Sequence, residues 1–346
     1  MTFSSHARAQ AEACDSLGSP LTARLLRLVA ARISPGSDVA NRLLAWPIKR
    51  LKPDAVALRL MGALHYLVLT KAAPDMVRIY DAPESFSDAE IWRVIESCFN
   101  QHATHVLKVL DNAPQTNELR RSCVLIAAAH WLTQAYRMPL VLSELGSSAG
   151  LNLLWDRYGL SVNGQYFGPD DPVLTLTPDW SGSTPACARP QIRDRAGVDL
   201  NPLNAARDEN CLLSYIWADQ PDRLMRTRAA LTLARKNPPE IAAGNAVGWL
   251  ETRLSHLMPQ TVHFVYHTVT WQYFSEKDQA RGRQVLELAG KRARIDTRLV
   301  HFSMEQDDSG PGAALEMHIW PENERITFGR ADFHGRWVDW RAKAPT

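Results

Sequence analysis

Long apolar runs are missing from this chain of 346 residues, and so is any marked excess of one charge. Its most apolar stretches are too short and too interrupted for the ~20 residues that a helical membrane span needs, so no membrane partner is expected. Lys and Arg number 39 against 37 Asp and Glu, a formal charge of +2. The basic residues are scattered, which argues against a nucleic-acid-binding face. The five cysteines (Cys14, Cys98, Cys123, Cys187, Cys211) are odd in number and contain no C-x-x-C. That spacing disfavours a zinc knuckle or a disulfide framework and points to a reducing compartment. The polar opening through Gln10 lacks the apolar core of a secretory signal, and the expected location is cytoplasmic. No group of His, Cys, Asp and Glu has metal-ligand spacing, so no metal is expected. The dinucleotide fingerprint G-x-G-x-x-G is also absent, as are internal repeats and low-complexity segments.

What is present is an ordinary globular composition, 45% hydrophobic and 22% charged, with a length that allows about two domains. The first third reads as helix. Ser19-Pro20 places a capping residue ahead of proline at a first helical position. From Asp54 onward Leu58, Met61, Leu64, Leu67 and Val68 recur at helical spacing, and His65 on that stripe reads as a core histidine. Ser87 and Glu90 form a capping box. A further helix is predicted from Asn117 to Tyr136. The division expected is a helical domain over 1–112 and an α/β domain over 113–346.

The pattern changes at Pro139-Leu140-Val141-Leu142, a short apolar run followed by a Gly/Ser loop and a helix-like Leu151–Trp155. This is a strand–turn–helix, the opening unit of an α/β sheet. Asn163-Gly164 predicts a hairpin turn. Cys211–Trp217 and Asp222–Ala234 read as helices, and Val262–His267 and Leu299–Met304 as strands. Ala314–Trp320 and Arg325–Arg330 read as a closing antiparallel pair.

The glycine-containing turn Glu144-Leu145-Gly146-Ser147-Ser148-Ala149-Gly150-Leu151-Asn152 carries two chemical readings. In the first, Gly146 and Gly150 let main-chain amides approach a ligand at the end of a strand. Glu144 then orients the ammonium group of a methionine-like ligand. In the second, Gly146-Ser147-Ser148-Ala149-Gly150 is a G-x-S-x-G nucleophile elbow with Ser148 as nucleophile and His267, His301 or His334 as base. The all-helical region upstream and the lack of an HGGG-type loop count against that serine hydrolase. A plain structural turn is the third possibility.

Those nine residues, with Asp156-Arg157-Tyr158 after them, resemble the signature of domain-of-unknown-function family 2332, found in bacteria. Gln115-Thr116-Asn117-Glu118, Gly197 to Pro202, Trp271-Gln272-Tyr273 and the closing His334 to Trp340 resemble it too. The middle and C-terminal segments are also similar to a class I methyltransferase core, a Rossmann-like sheet, mostly parallel, with a C-terminal antiparallel hairpin. That resemblance implies S-adenosylmethionine as cofactor, held by Glu144, Gly146, Ser147, Gly150 and Asn152. It places Asp199 on the ribose and Asn245 with Ala246 on the adenine, Asn245 standing where an Asp is usual. The gap from Gly146 to Asp199 exceeds twice the roughly 20 residues of dinucleotide folds, and so requires an insertion.

The expected activity is methyl transfer to a small-molecule acceptor, or a non-catalytic ligand-binding role on the same fold. A base is expected near the strand ends, with His267 first, then Glu305 and Glu118. Each also has a structural reading: a loop histidine for His267, and for Glu305 a solvated acid beside Asp307 and Asp308. Gln115, Asn117 and Arg121 are placed over the cofactor, although Asn117 also suits a helix N-cap. Trp271, Tyr273 and His334 complete the candidate acceptor site.

Overall fold

The computed structural model describes residues 2–345. The chain forms two compact units, one of residues up to Thr116 together with 207–228, the other of 117–206 together with 229 onward.

The first unit is helical, with helices Phe3–Ser16, Pro20–Arg32, Asp38–Leu44, Val56–Leu69, Pro74–Asp81, Asp88–Gln101 and Ala103–Leu110 joined by Glu209–Ser214. Their apolar stripes meet in a core that includes Leu25, Leu26, Val29, Leu60, Leu64, Ile91 and Phe99. The capping box forms as expected: Glu90 N–H donates to Ser87 Oγ and Ser87 N–H to Glu90 Oε2. Ser19, by contrast, does not cap its helix through its own side chain. Asp219 does so, taking Leu21 N–H at 2.9 Å and the Ser19 hydroxyl at 2.5 Å. His65 is buried and bonded to the Ser214 carbonyl, and Gly62 leaves room only for the Tyr215 ring. These contacts correct the boundary expected at residue 112, because they tie 207–228 into the helical unit. No single helix among the described residues is long and apolar enough to cross a membrane.

The second unit is built on strands β1 (Leu140–Leu145), β2 (Gly159–Val162), β3 (Gln165–Phe167), β4 (Thr175–Leu176), β5 (Asp179–Gly182), β6 (Ile192–Asp199), β7 (Ile241–Ala243), β8 (Thr261–Thr268), β9 (Thr297–Gln306), β10 (Ala313–Trp320), β11 (Glu324–Ala331) and β12 (Trp337–Trp340). Nine of them form one sheet in the order β5-β12-β11-β10-β9-β8-β1-β6-β7. The β7-β6-β1-β8-β9 part is parallel, and β10, β11 and β12 continue it as an antiparallel meander. The expected closing pair is present as β10 and β11, but β12 and then β5 extend the sheet beyond it. The Asn163-Gly164 hairpin forms between β2 and β3, with φ of 51° and 73°, the double positive φ of a type I′ turn.

β1 and β8 are buried along their whole lengths, as central strands covered on both faces are. One face of the sheet packs Leu145, Val198, Val265 and Leu299 against helices Ala246–Arg253 and Glu276–Gly290. Two helical expectations are corrected. The segment after the glycine turn is a 3₁₀ stretch, Leu151–Arg157, kinked at Leu154. The helix expected from Asn117 is a 3₁₀ turn, Leu119–Arg121, followed by the α-helix Ser122–Tyr136.

Gly197, in β6 beside β1, has no space for a side chain: a Cβ would overlap Ser147 Oγ and meet Leu153 at 2.9 Å. Gly197→Ala is predicted to destabilise the protein by about 1–3 kcal/mol through overpacking, read as a lower midpoint in urea. An unchanged midpoint would contradict this packing.

Candidate functional site

Loops leaving the carboxyl ends of β1, β6, β7 and β8 share one rim of the sheet. The strand order steps outward in opposite directions on the two sides of β1, through β6 to β7 and through β8 to β9. Ligands in open α/β sheets lie at the carboxyl ends beside such a switch.

Glu144 sits there, next to the last residue of β1. It is 2% exposed, and its Oε2 has no hydrogen-bond partner. Burial first, then the nearby Asp199 charge, push its carboxyl well above the ordinary range, with Arg121 opposing. In-register partners on parallel strands share a face, so Glu144 lies on the same face as Tyr266 of β8 and Gly197 of β6.

The glycine turn does not present its amides as expected. Gly146 and Ser147 N–H donate to the Val198 carbonyl, Ser148 N–H to Asp199 Oδ2, Gly150 N–H to the Ser147 carbonyl and Leu151 N–H to Asn117 Oδ1. Gly146, Ser148 and Gly150 all have positive φ, at 74°, 53° and 69°. A Cβ on Gly146 would strike the Thr270 side chain, and one on Gly150 would meet Pro239 and Ile241. The glycines therefore admit neighbouring side chains, and the amide cradle read from the sequence is corrected to a self-bonded turn. Ser147 Oγ donates to the Glu144 carbonyl. Ser148 Oγ is buried and has no hydrogen-bond partner.

The 117–122 segment braces this turn from Glu144's side of the sheet. Asn117 binds the turn itself and caps no helix of its own. Asn152 accepts from Ser122 Oγ at 2.7 Å and donates to the Glu118 carbonyl, while its own carbonyl accepts from Tyr266. Glu118 is buried, with Oε1 on Arg120 N–H. Arg121 brackets the rim, donating to the Thr268 carbonyl at 2.9 Å and the Phe333 carbonyl at 2.8 Å. His334 belongs to that second turn, its N–H on Asp332 Oδ1. Gln115 falls in the helical unit.

Asp199 ends β6, and Asn245 lies two residues beyond the end of β7. Asp199 holds Ser148 N–H and Asn201 N–H, one on each oxygen. Asn245 caps helix Ala246–Arg253, its Oδ1 accepting from Val247 and Gly248. Asn245, expected at the adenine with Ala246, thus sits at a helix N-terminus with Ala246 as its first helical residue.

His267 and Glu305 are brought together, but on the opposite face from Glu144, since His267 stands one residue out of phase with Tyr266. Glu305 lies inside β9 and is no solvated loop acid. Its Oε1 accepts His267 Nδ1–H at 2.6 Å and the Thr270 and Trp271 amides at 2.8 and 3.0 Å. Burial works to raise its pKa, yet these donors hold it below the usual carboxylate range. His267 Nε2 meets His301 Nε2 at 2.9 Å, and Trp271 stacks on the His267 ring. Tyr273, 72% exposed, lies outside the cluster. His301 enters the sequence reading only as a hydrolase base. The alternation His301-x-Ser303-x-Glu305 within an otherwise apolar strand is the signal that marks this face as polar.

Residues 4–340 match the model of a family described as an uncharacterized protein conserved in bacteria, DUF2332. The chain belongs to that family. No curated protein and no solved structure matches it. The family thus fixes kinship over nearly the whole chain and assigns no chemistry to the rim of this DUF2332 protein.

A carboxyl whose pKa is raised on folding weakens the native state as pH climbs through the interval between its unfolded and folded values. Above an ordinary carboxyl pKa the unfolded chain has lost that proton while the native chain still holds it. Glu144→Gln removes this effect, so the stability of the variant relative to the parent is predicted to rise from about pH 5 to pH 8. Urea titrations across that range check it, and a constant or falling difference would refute the buried neutral carboxyl.

Proposed function

We propose that this protein is an S-adenosylmethionine-dependent methyltransferase acting on a small molecule. The observation that carries the reading is the orphaned, fully buried Glu144 carboxyl at the end of the central strand, with Asp199 ending the neighbouring strand on the same face. A buried polar oxygen without a partner costs about 1–3 kcal/mol, and a ligand ammonium is the kind of group that satisfies it. The parallel order third-second-first-fourth-fifth, a Rossmann-like arrangement, supports the same reading.

The fit rests on carboxylates and not on the loop amides of Gly146, Ser147, Ser148, Gly150 and Leu151, which already have protein acceptors. Glu144 would hold the amino end of the cofactor. Asp199, with one N–H on each oxygen, keeps acceptor capacity on both and would take the ribose hydroxyls. When bound, this cofactor supplies an electrophilic methyl group. Among the residues named from the sequence as bases, only Glu118 belongs to the segment bracing the turn on Glu144's side, and we assign it the proton from the acceptor. Arg121 positions the loops through two carbonyls.

The serine hydrolase reading draws on the positive φ of Ser148 and its flanking glycines. It is weaker, because no histidine bonds Ser148 Oγ and a 3₁₀ stretch stands where the elbow helix belongs.

Calorimetric titration with S-adenosylmethionine and S-adenosylhomocysteine is expected to show saturable binding. Glu144→Gln should weaken it by roughly 10- to 100-fold, the equivalent of about 1.5–3 kcal/mol for a hydrogen bond to a charged group. No binding by the parent protein would reject the proposal. Fluorophosphonate labelling that disappears in Ser148→Ala would establish the hydrolase instead.

A further inference from the structure

Behind the Glu305–His267–His301 chain lies a cleft of about 340 Å³, between β9–β11 and helix Glu276–Gly290. That volume is near the lower end for ligand pockets and suits a single ring. Trp271, Leu286 and Trp320 give it apolar walls, while Arg283 and Glu316 stand exposed at its edge.

Hydrogen-bond chemistry fixes the direction of the chain. Glu305 accepts only, so His267 Nδ1 carries the proton between them. The two Nε2 atoms, 2.9 Å apart, share one proton. No third His, Cys, Asp or Glu converges on them in a metal-binding group among the described residues. His301, half-buried, lines the cleft with no protein partner at Nδ1. Burial first, then the neighbouring His267, keep His301 well below the ordinary imidazole range, so its Nδ1 lone pair stays available. His318, opposite His301 on β10, is engaged by Asn323 at 2.7 Å and by Glu287 at 3.9 Å. Arg325 also pairs with Glu287, which leaves the Glu305 carboxylate as the anion aligned with the histidine chain.

We propose that this cleft is a second site, independent of the Glu144 rim, which binds a small aromatic or enolic compound and removes its acidic O–H proton. The O–H bond breaks and an N–H bond forms at His301 Nδ1, the ligand keeping the electron pair as its anion. His301 passes its Nε2 proton to His267 Nε2. His267 then carries protons on both nitrogens, and its positive charge rests against the Glu305 carboxylate. Aliphatic alcohols are too weakly acidic for this exchange with imidazole, whereas phenols bearing electron-withdrawing groups and acidic enols come close to it. Arg283 and Arg325 both line the cleft, and the Arg325 charge reaches His301.

The probe is 4-nitrophenol, whose anion absorbs in the visible, titrated with the full-length protein at a pH below its own pKa. Bound probe is expected to show a phenolate-to-phenol ratio about tenfold above that of free probe at the same pH, the effect of a charge pair that favours the ionised form. The methyl ether 4-nitroanisole, which has the ring but no proton, should bind at least several-fold more weakly. His301→Gln and Glu305→Gln should each abolish the phenolate excess in protein whose thermal melting confirms folding. A bound probe with the free-solution ratio would overturn the proposal, as would equal binding of the ether or a phenolate band retained in His301→Gln. The comparison of phenol with ether requires no variant, so a substitution that prevents folding leaves the test intact.

Discussion

The hardest constraint on this fold is the removal of the Glu144 carboxyl from water at the end of the central strand. A carboxylate there is flanked by Asp199 and by apolar packing, and only Arg121 opposes the cost. Its pKa is therefore held well above the ordinary carboxyl range, and its surroundings must be rigid enough to hold it so. Much of the nearby polar architecture serves that rigidity. Asn117 and Asp199 tie down the glycine turn, Asn152 joins the turn to Ser122, and Arg121 clamps the rim by two carbonyls. Glycines at 146, 150 and 197 are needed because protein atoms occupy the space a Cβ would take.

The sheet separates two kinds of polar chemistry by the phase of its strands. On β8, Tyr266 turns toward Glu144 and the bracing segment, while His267, one residue later, turns toward β9 and Glu305. A neutral buried acid on one side and a carboxylate-oriented imidazole on the other are different devices. The first leaves a buried carboxyl oxygen without a partner, and the second is a hydrogen-bonded chain ending at His301. Thr270 links them: its amide donates to Glu305 and its side chain packs where a Cβ on Gly146 would sit. Any rearrangement of the β8 loop is therefore felt by both.

The sequence made the layers of the fold legible, because burial imprints period and turn chemistry. The Ser87 box, the Asn163-Gly164 hairpin and the β1, β8 and β9 runs are all written in local residues. The less legible parts depend on partners distant in sequence. Asp219 caps a helix some 200 positions earlier, and β5 joins the sheet through β12. The glycine turn shows the limit most clearly. Positive φ was readable at 146 and 150, but what filled the space beside them was not, since Thr270 and Pro239 lie far along the chain. His267 and Glu305 were found by their place at strand ends, whereas their pairing and the role of His301 required the register of β8 against β9.

The central claim, a neutral carboxyl at 144 that ionises against a ligand ammonium, is tested most directly by infrared difference spectroscopy. The spectrum of the protein with S-adenosylhomocysteine is compared with that of the protein alone, and the band is assigned through Glu144→Gln. The account predicts a protonated-carboxyl C=O band in the free protein that is lost on binding and replaced by carboxylate absorption. A Glu144 already ionised without ligand, or a protonated band that persists in the complex, would contradict it.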